Sequence, residues 1–293
     1  MDDFIVFILS HGRANNVVTY KTLRSQGYTG RIGIVIDDED KQGDDYREKF
    51  GENNVFVFNK DEIAKNFDEV IKGDRRTVVY ARNACFDIAR NIGVKYFVEL
   101  DDDYSYFSFA LDGDYRFIEA QKNGGVGRSK NIKNLDEVFR IILDFYKNTT
   151  SIASIAMAQA GDLIGGEQAS CLTSVRLLRK AMNSFFCSVD RQFKFSGRIN
   201  EDVNTYTMEA HRGVLFFTDC QIYLNQGATQ KNSGGMTDVY IDSGTYLKSF
   251  FSVICCPSAV KVALMGTSHK RLHHNIAWDN CTPKIISEQY RKT

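Results

Sequence analysis

Proline is nearly absent, at 2 of 293 residues. No Pro/Ser-rich linker divides the chain, so a single domain is expected. Net charge is zero, with 37 basic and 37 acidic side chains, and bulk electrostatics does not announce a nucleic-acid binder. No apolar run is long enough to span a bilayer, so no membrane partner is expected. The opening Met1-Asp2-Asp3 is acidic and leads straight into an apolar run, unlike a secretory signal. The 7 cysteines are odd in number and lack metal-site spacing. They fit free thiols in a reducing cytoplasm better than a disulfide framework. The Gly-x-Gly-x-x-Gly signature is missing after the first apolar run, and so is the Walker loop. Both absences argue against a dehydrogenase or a P-loop ATPase.

What the chain does have is an apolar run that stops at three acids: Tyr96-Phe97-Val98-Glu99-Leu100, then Asp101-Asp102-Asp103. The run reads as a buried strand, which puts the acids at its carboxyl end, where open α/β sheets bind ligands. Adjacent carboxylates repel one another unless a cation neutralises them. Oxygen-only ligands suit Mg²⁺ or Mn²⁺ shared with a substrate diphosphate. A solvated acidic turn is the plainer alternative.

Upstream, Phe4 to Leu9, Ile32 to Ile36 and Val55 to Phe58 read as strands, and Thr77 to Ile92 as a helix. This alternation implies a mixed, mainly parallel sheet with helices on both faces. Asn15 or Asn16 is a candidate cap for the helix after the first strand. Arg13, beside the turn-forming Gly12, can meet a phosphate bidentately.

Downstream, Leu135 to Tyr146 and Ser174 to Met182 read as helices. Ser151 to Met157, Val214 to Phe217 and Val260 to Leu264 read as strands, with a helix over Tyr246 to Cys255. Between Gln121 and Asn134 lies a glycine-rich basic stretch with Lys122, Arg128, Lys130 and Lys133, either a solvated loop or a contact to a phosphate backbone. Glu201-Asp202 follows a glycine turn, where a helix dipole alone would favour acids. Polar residues 225–237 form a loop long enough for a lid. His269, His273 and His274 cluster with Lys270 and Arg271, as in a phosphate or metal site. Residues 1–150 carry roughly 22 basic and 26 acidic side chains, and the remainder roughly 15 and 11.

Five stretches stand out together: Leu9-Ser10-His11-Gly12-Arg13, Val35 to Asp40, Tyr80 to Cys85, Leu100 to Tyr104, and Arg271 to Ile276 with Trp278. In combination they resemble the phage TET-associated glycosyltransferases, enzymes of GT-A fold. The resemblance implies a GT-A-like, Rossmann-type fold, with residues 1–104 as the nucleotide-sugar half and 105–293 as the acceptor half. It implies transfer of arabinose or glucose from a UDP-sugar to 5-hydroxymethylcytosine in phage DNA, with Mn²⁺ or Mg²⁺. Donor contacts are then expected from Ser10, His11, Arg13, Asp37, Arg82, Asn83, Asp101, Asp102 and Lys270. Metal ligation falls to Asp101 and Asp103 with His273 or His274, although a third adjacent acid leaves the pair open. Asp202 is the expected base of an inverting reaction, with Glu201 as runner-up. A protein or glycan acceptor, and a non-catalytic binding module, are the alternatives.

Overall fold

A computed structural model describes residues 2–65, 77–114, 116–118, 131–163, 166–169, 180–226, 236–265 and 270–281. Lys122, Arg128, Lys130 and His269, most of the expected lid, and most of the helix expected over Ser174 to Met182 lie outside them.

The central sheet has eight strands in the order β3-β2-β1-β4-β7-β6-β8-β5. The strands are β1 (Phe4–Leu9), β2 (Ile32–Asp37), β3 (Val55–Phe58), β4 (Tyr96–Asp101), β5 (Tyr104–Phe109), β6 (Ile152–Gln159), β7 (Ser184–Ser188) and β8 (Leu215–Gln226). β3, β2, β1 and β4 are parallel. β7 pairs antiparallel with both β4 and β6, β6 pairs parallel with β8, and β8 antiparallel with β5. The sheet is therefore mixed, with its parallel half at the amino end of the chain.

Helices cover both faces because the central strands are apolar on both sides. In β1, Phe4, Val6 and Ile8 enter one core with Tyr46 and Phe139, while Ile5, Phe7 and Leu9 enter another with Tyr80, Phe86 and Tyr206. The helix Leu135–Asn148 buries Leu135, Val138, Phe139, Ile142, Leu143 and Tyr146, a single stripe at helical spacing. Asn134 caps it, its side chain accepting from Glu137 N at 3.3 Å. Neither Asn15 nor Asn16 caps the helix Val18–Ser25; Val17 stands at its N-cap, and both asparagines lie in a preceding 3₁₀ turn.

Two elements run longer than their apolar cores. β8 continues past Phe217 through Asp219 and Gln221, where its register with β6 shifts and a simple pattern breaks. The last long helix spans Met236–Cys255 and so begins well before the apolar stretch at Tyr246, its first turns mixing Val239, Tyr240 and Ile241 with Thr237, Asp238 and Asp242. Beyond it, β9 (Val260–Met265) and β10 (Arg271–Ile276) form a separate antiparallel pair. Trp278 stacks on Tyr206 at 5.6 Å and ties this pair to the main body. Among the described residues no helix is long and apolar enough to cross a membrane.

Candidate active site

The site is built around a buried cation. The helix Val79–Asn91 places Arg82, 1% exposed, under the carboxyl end of β4. Period two puts Glu99 and Asp101 on the same face of that strand. Arg82 Nη1 meets Glu99 at 3.5 Å, Nη2 meets Asp101 at 3.0 Å, and Nε meets Glu201 at 3.2 Å. The rings of Phe185 and Phe195 face the guanidinium at 5.1 and 5.7 Å. Burial works against the charge, but Asp101, Glu201 and Glu99 outweigh it and raise the Arg82 pKa. Negative charge is in surplus. Burial pushes the Glu99 carboxyl up to about 8, and burial with repulsion from Asp103, Glu201 and Asp102 pushes Asp101 up to about 7.

The three adjacent acids take separate directions. Asp102 accepts from Ser10 Oγ at 2.7 Å and from Arg13 Nη1 at 3.0 Å, which fastens the loop after β1. Asp101 is held by Arg82 and approached by the Tyr104 hydroxyl at 3.5 Å. Asp103 accepts from Gln226 Nε2 at 3.2 Å through one oxygen, while its other oxygen is buried and has no donor among the described residues. Burial, then repulsion from Asp102, raises its pKa. This donor set suits a hard divalent cation: it is all oxygen, carries surplus negative charge and has an unmet buried acceptor.

His11, Asp37 and Lys60 form the outer edge of the site. His11 Nδ1 lies 2.7 Å from Asp37 Oδ2, and Lys60 Nζ lies 3.2 Å from Asp37 Oδ1, which also accepts from Glu39 N. Burial alone would raise the Asp37 pKa, but His11 and Lys60 outweigh it and hold it low. The bond to Asp37 raises the His11 pKa against the opposing effect of burial. Asp37 thus has both oxygens engaged from within, and the half-exposed imidazole is the freer group.

The Glu201-Asp202 pair opens the helix Glu201–Ala210. Asn200, at φ 55°, turns the chain into it, and its amide donates to Lys248 O at 2.8 Å and Ser252 Oγ at 3.1 Å. Gly197, at φ 83°, lies against Asn204 and Phe251 where a Cβ would collide. Glu201 is held by Arg82. Among the described residues Asp202 forms no ion pair; one oxygen accepts from Val203 N at 2.8 Å. Burial, with repulsion from Glu201, pushes its pKa up to about 6, near the working range of a general base.

Other expected residues stand apart. The Asn83 amide is fully engaged with Val79 O and with both polar backbone atoms of Phe195, so it links its helix to a loop. Lys270 and Lys133 are exposed. His273 Nδ1 donates to His274 O at 2.7 Å. Burial, with His273, Lys248 and Lys180 nearby, pushes His274 down to about 4, leaving it neutral. Among the described residues no three His, Cys, Asp or Glu side chains stand together as ion ligands. The expected union of a late histidine with Asp101 and Asp103 is not formed, because Asp101 is drawn onto Arg82 and the histidines belong to the separate β9–β10 pair. Sequence reasoning missed Glu99, Tyr104, Asn183 and Gln226. Of these only Glu99, an acid inside an apolar run and in step with Asp101, left a signal.

This mixed sheet, with acids at the end of its central strand and a second acid pair beside the same buried arginine, belongs to a glycosyltransferase. Residues 4–235 match the model of the TET-associated glycosyltransferases, and the chain belongs to that family. No curated protein matches the sequence. Among solved structures, glucosyl-3-phosphoglycerate synthase from Mycobacterium tuberculosis, in complex with Mn²⁺, UDP and phosphoglyceric acid, is 8% identical, with TM-score 0.46 over 96% of this chain and 89% of that one. A cytidylyltransferase from Leptospira borgpetersenii is 11% identical, with TM-score 0.38 over 87% and 92% of the two chains.

Proposed function

We propose that this glycosyltransferase moves a sugar, arabinose or glucose, from a UDP-sugar to the hydroxyl of 5-hydroxymethylcytosine in phage DNA, within the host cytoplasm. The observation that carries the donor side is the surplus of carboxylates around one arginine, with an unmet oxygen on Asp103. Asp101 and Asp103 would hold Mg²⁺ or Mn²⁺, which would supply the positive charge that neutralises the leaving diphosphate. Ser10, His11 and Arg13, together with the first 104 residues, bind the nucleotide, and Asp102 positions Ser10 and Arg13. Asp202 takes the proton as the acceptor oxygen attacks the anomeric carbon. The bond to the diphosphate breaks and the configuration inverts. The DNA acceptor is supported by the family resemblance and by the basic stretch Lys122, Arg128, Lys130 and Lys133.

Incubation with labelled UDP-sugars and hydroxymethylcytosine DNA tests the reading directly; sugar transfer to protein or glycan alone would overturn the DNA acceptor. Asp103→Ala is expected to abolish transfer and Mn²⁺ binding by calorimetry. The fold should melt no lower than the wild type, since a repelled, partly buried carboxylate is removed. Full wild-type activity in excess EDTA would sink the metal assignment. Replacing Lys122, Arg128, Lys130 and Lys133 together by Ala should flatten the salt dependence of DNA binding, by about 0.9 in log–log slope for each phosphate no longer neutralised. UDP affinity should not change. An unaltered slope would move the DNA contact elsewhere.

A further inference from the structure

Three amide side chains gather on the side of β4 away from the nucleotide edge. β7 runs antiparallel to β4 with Ser184 opposite Leu100, so Asn183 lies at the carboxyl end of β4. Gln159 ends β6, and Gln226 ends β8 opposite Tyr104. The Tyr104 hydroxyl donates to Asn183 O at 2.7 Å. Asn183 Nδ2 donates to Gln226 Oε1 at 3.3 Å, and Gln226 Nε2 to Asp103 Oδ2 at 3.2 Å. Among the described residues one buried acceptor here, Asp103 Oδ1, has no hydrogen-bond partner, and one buried donor, Gln159 Nε2, has none of good geometry, only a loose approach to the Tyr104 hydroxyl. Buried polar atoms are as a rule met by protein, water or ligand.

We propose that Gln159, Gln226 and Asn183 form the subsite for the hydroxyl groups of the transferred sugar, an inference that rests on the donor reading above. A sugar hydroxyl both donates and accepts, as an amide does, and neutral amides take it without desolvating a charge. Position favours the sugar over the acceptor base. The network ends on Asp103, where the diphosphate is placed, and the sugar is bonded directly to that diphosphate. The acceptor hydroxyl has to reach Asp202, whose charged neighbours are Glu201, Arg82 and Lys248.

Gln159→Met keeps the length of the side chain and removes the amide. Calorimetry on the full chain with Mn²⁺ compares UDP, UDP-glucose and UDP-arabinose, with a thermal melt confirming the fold. The expected result is unchanged UDP affinity and roughly tenfold weaker binding of at least one UDP-sugar. Equal losses for UDP and both UDP-sugars would overturn the subsite, because the amide would then act through Asp103. Wild-type affinity for both UDP-sugars, with a raised KM for DNA, would assign the amides to the acceptor base and also overturn it. A wild-type protein that binds neither UDP-sugar overturns the donor reading itself, whatever the variant does.

Discussion

Asp202→Asn is expected to lower turnover by roughly 10²–10⁴-fold, the usual worth of a general base, while leaving donor and DNA affinities near wild type. Asn keeps the size and can accept from Val203 N as Asp202 does, so the helix start survives. It cannot take a proton. In single turnover the loss should sit in the transfer step and not in product release. The pH profile gives a second reading. Asp202 must be ionised to act, and its carboxyl lies at about 6, so the wild-type rate should fall as pH drops through about 6. The variant should lose that acid limb. If Asp202 only starts the helix, Asn serves equally well and the rate stays put. Glu201→Gln is the control with a different signature: Glu201 partners Arg82, so its loss should disturb stability and metal affinity together. A product of retained configuration would rule out single displacement through Asp202, whatever the variant rates.

The parallel half of the sheet was legible in the sequence because central strands buried on both faces are continuous apolar runs, as in Phe4–Leu9 and Ile32–Asp37. The acids were legible because they interrupt such a run. β7 was not: Ser184–Ser188 is five residues with serine at each end, and only its pairing with β4 and β6 makes it a strand. The roles of the site residues depend on partners far apart in the chain. Arg82 and Glu201 are 119 positions apart, and Ser10 and Asp102 are 92 apart. No local pattern distinguishes the Glu201 that meets Arg82 from the Asp202 that does not. Asn83 shows the converse: a polar residue next to a site arginine reads as a donor contact, yet the fold uses its amide to hold Phe195.

Arg82→Met should be the most damaging single change to the fold. Met fills much of the same volume against Phe185 and Phe195 but leaves Glu99, Asp101 and Glu201 without their shared cation. Removing one partner of a buried ion pair typically costs about 3–5 kcal/mol. The loss should depend on pH in a defined direction. The carboxyls of Glu99 and Asp101 lie at about 8 and about 7 in the fold, above their ordinary values of 4.5 and 3.8. The folded state therefore binds protons that the unfolded chain has released, and the stability these groups contribute declines as pH rises from about 4 to about 8. Without Arg82 both values should climb further and the decline should steepen. Chemical denaturation of both proteins at pH 5 and pH 8 measures this; the gap between them should be wider at pH 8. Excess Mn²⁺ at pH 8 should recover part of the loss, since a divalent ion on Asp101 and Asp103 replaces some of the missing positive charge. A variant within about 1 kcal/mol of wild type at pH 8 would show that the acids are neutral in the native protein and that Arg82 is not their counter-ion.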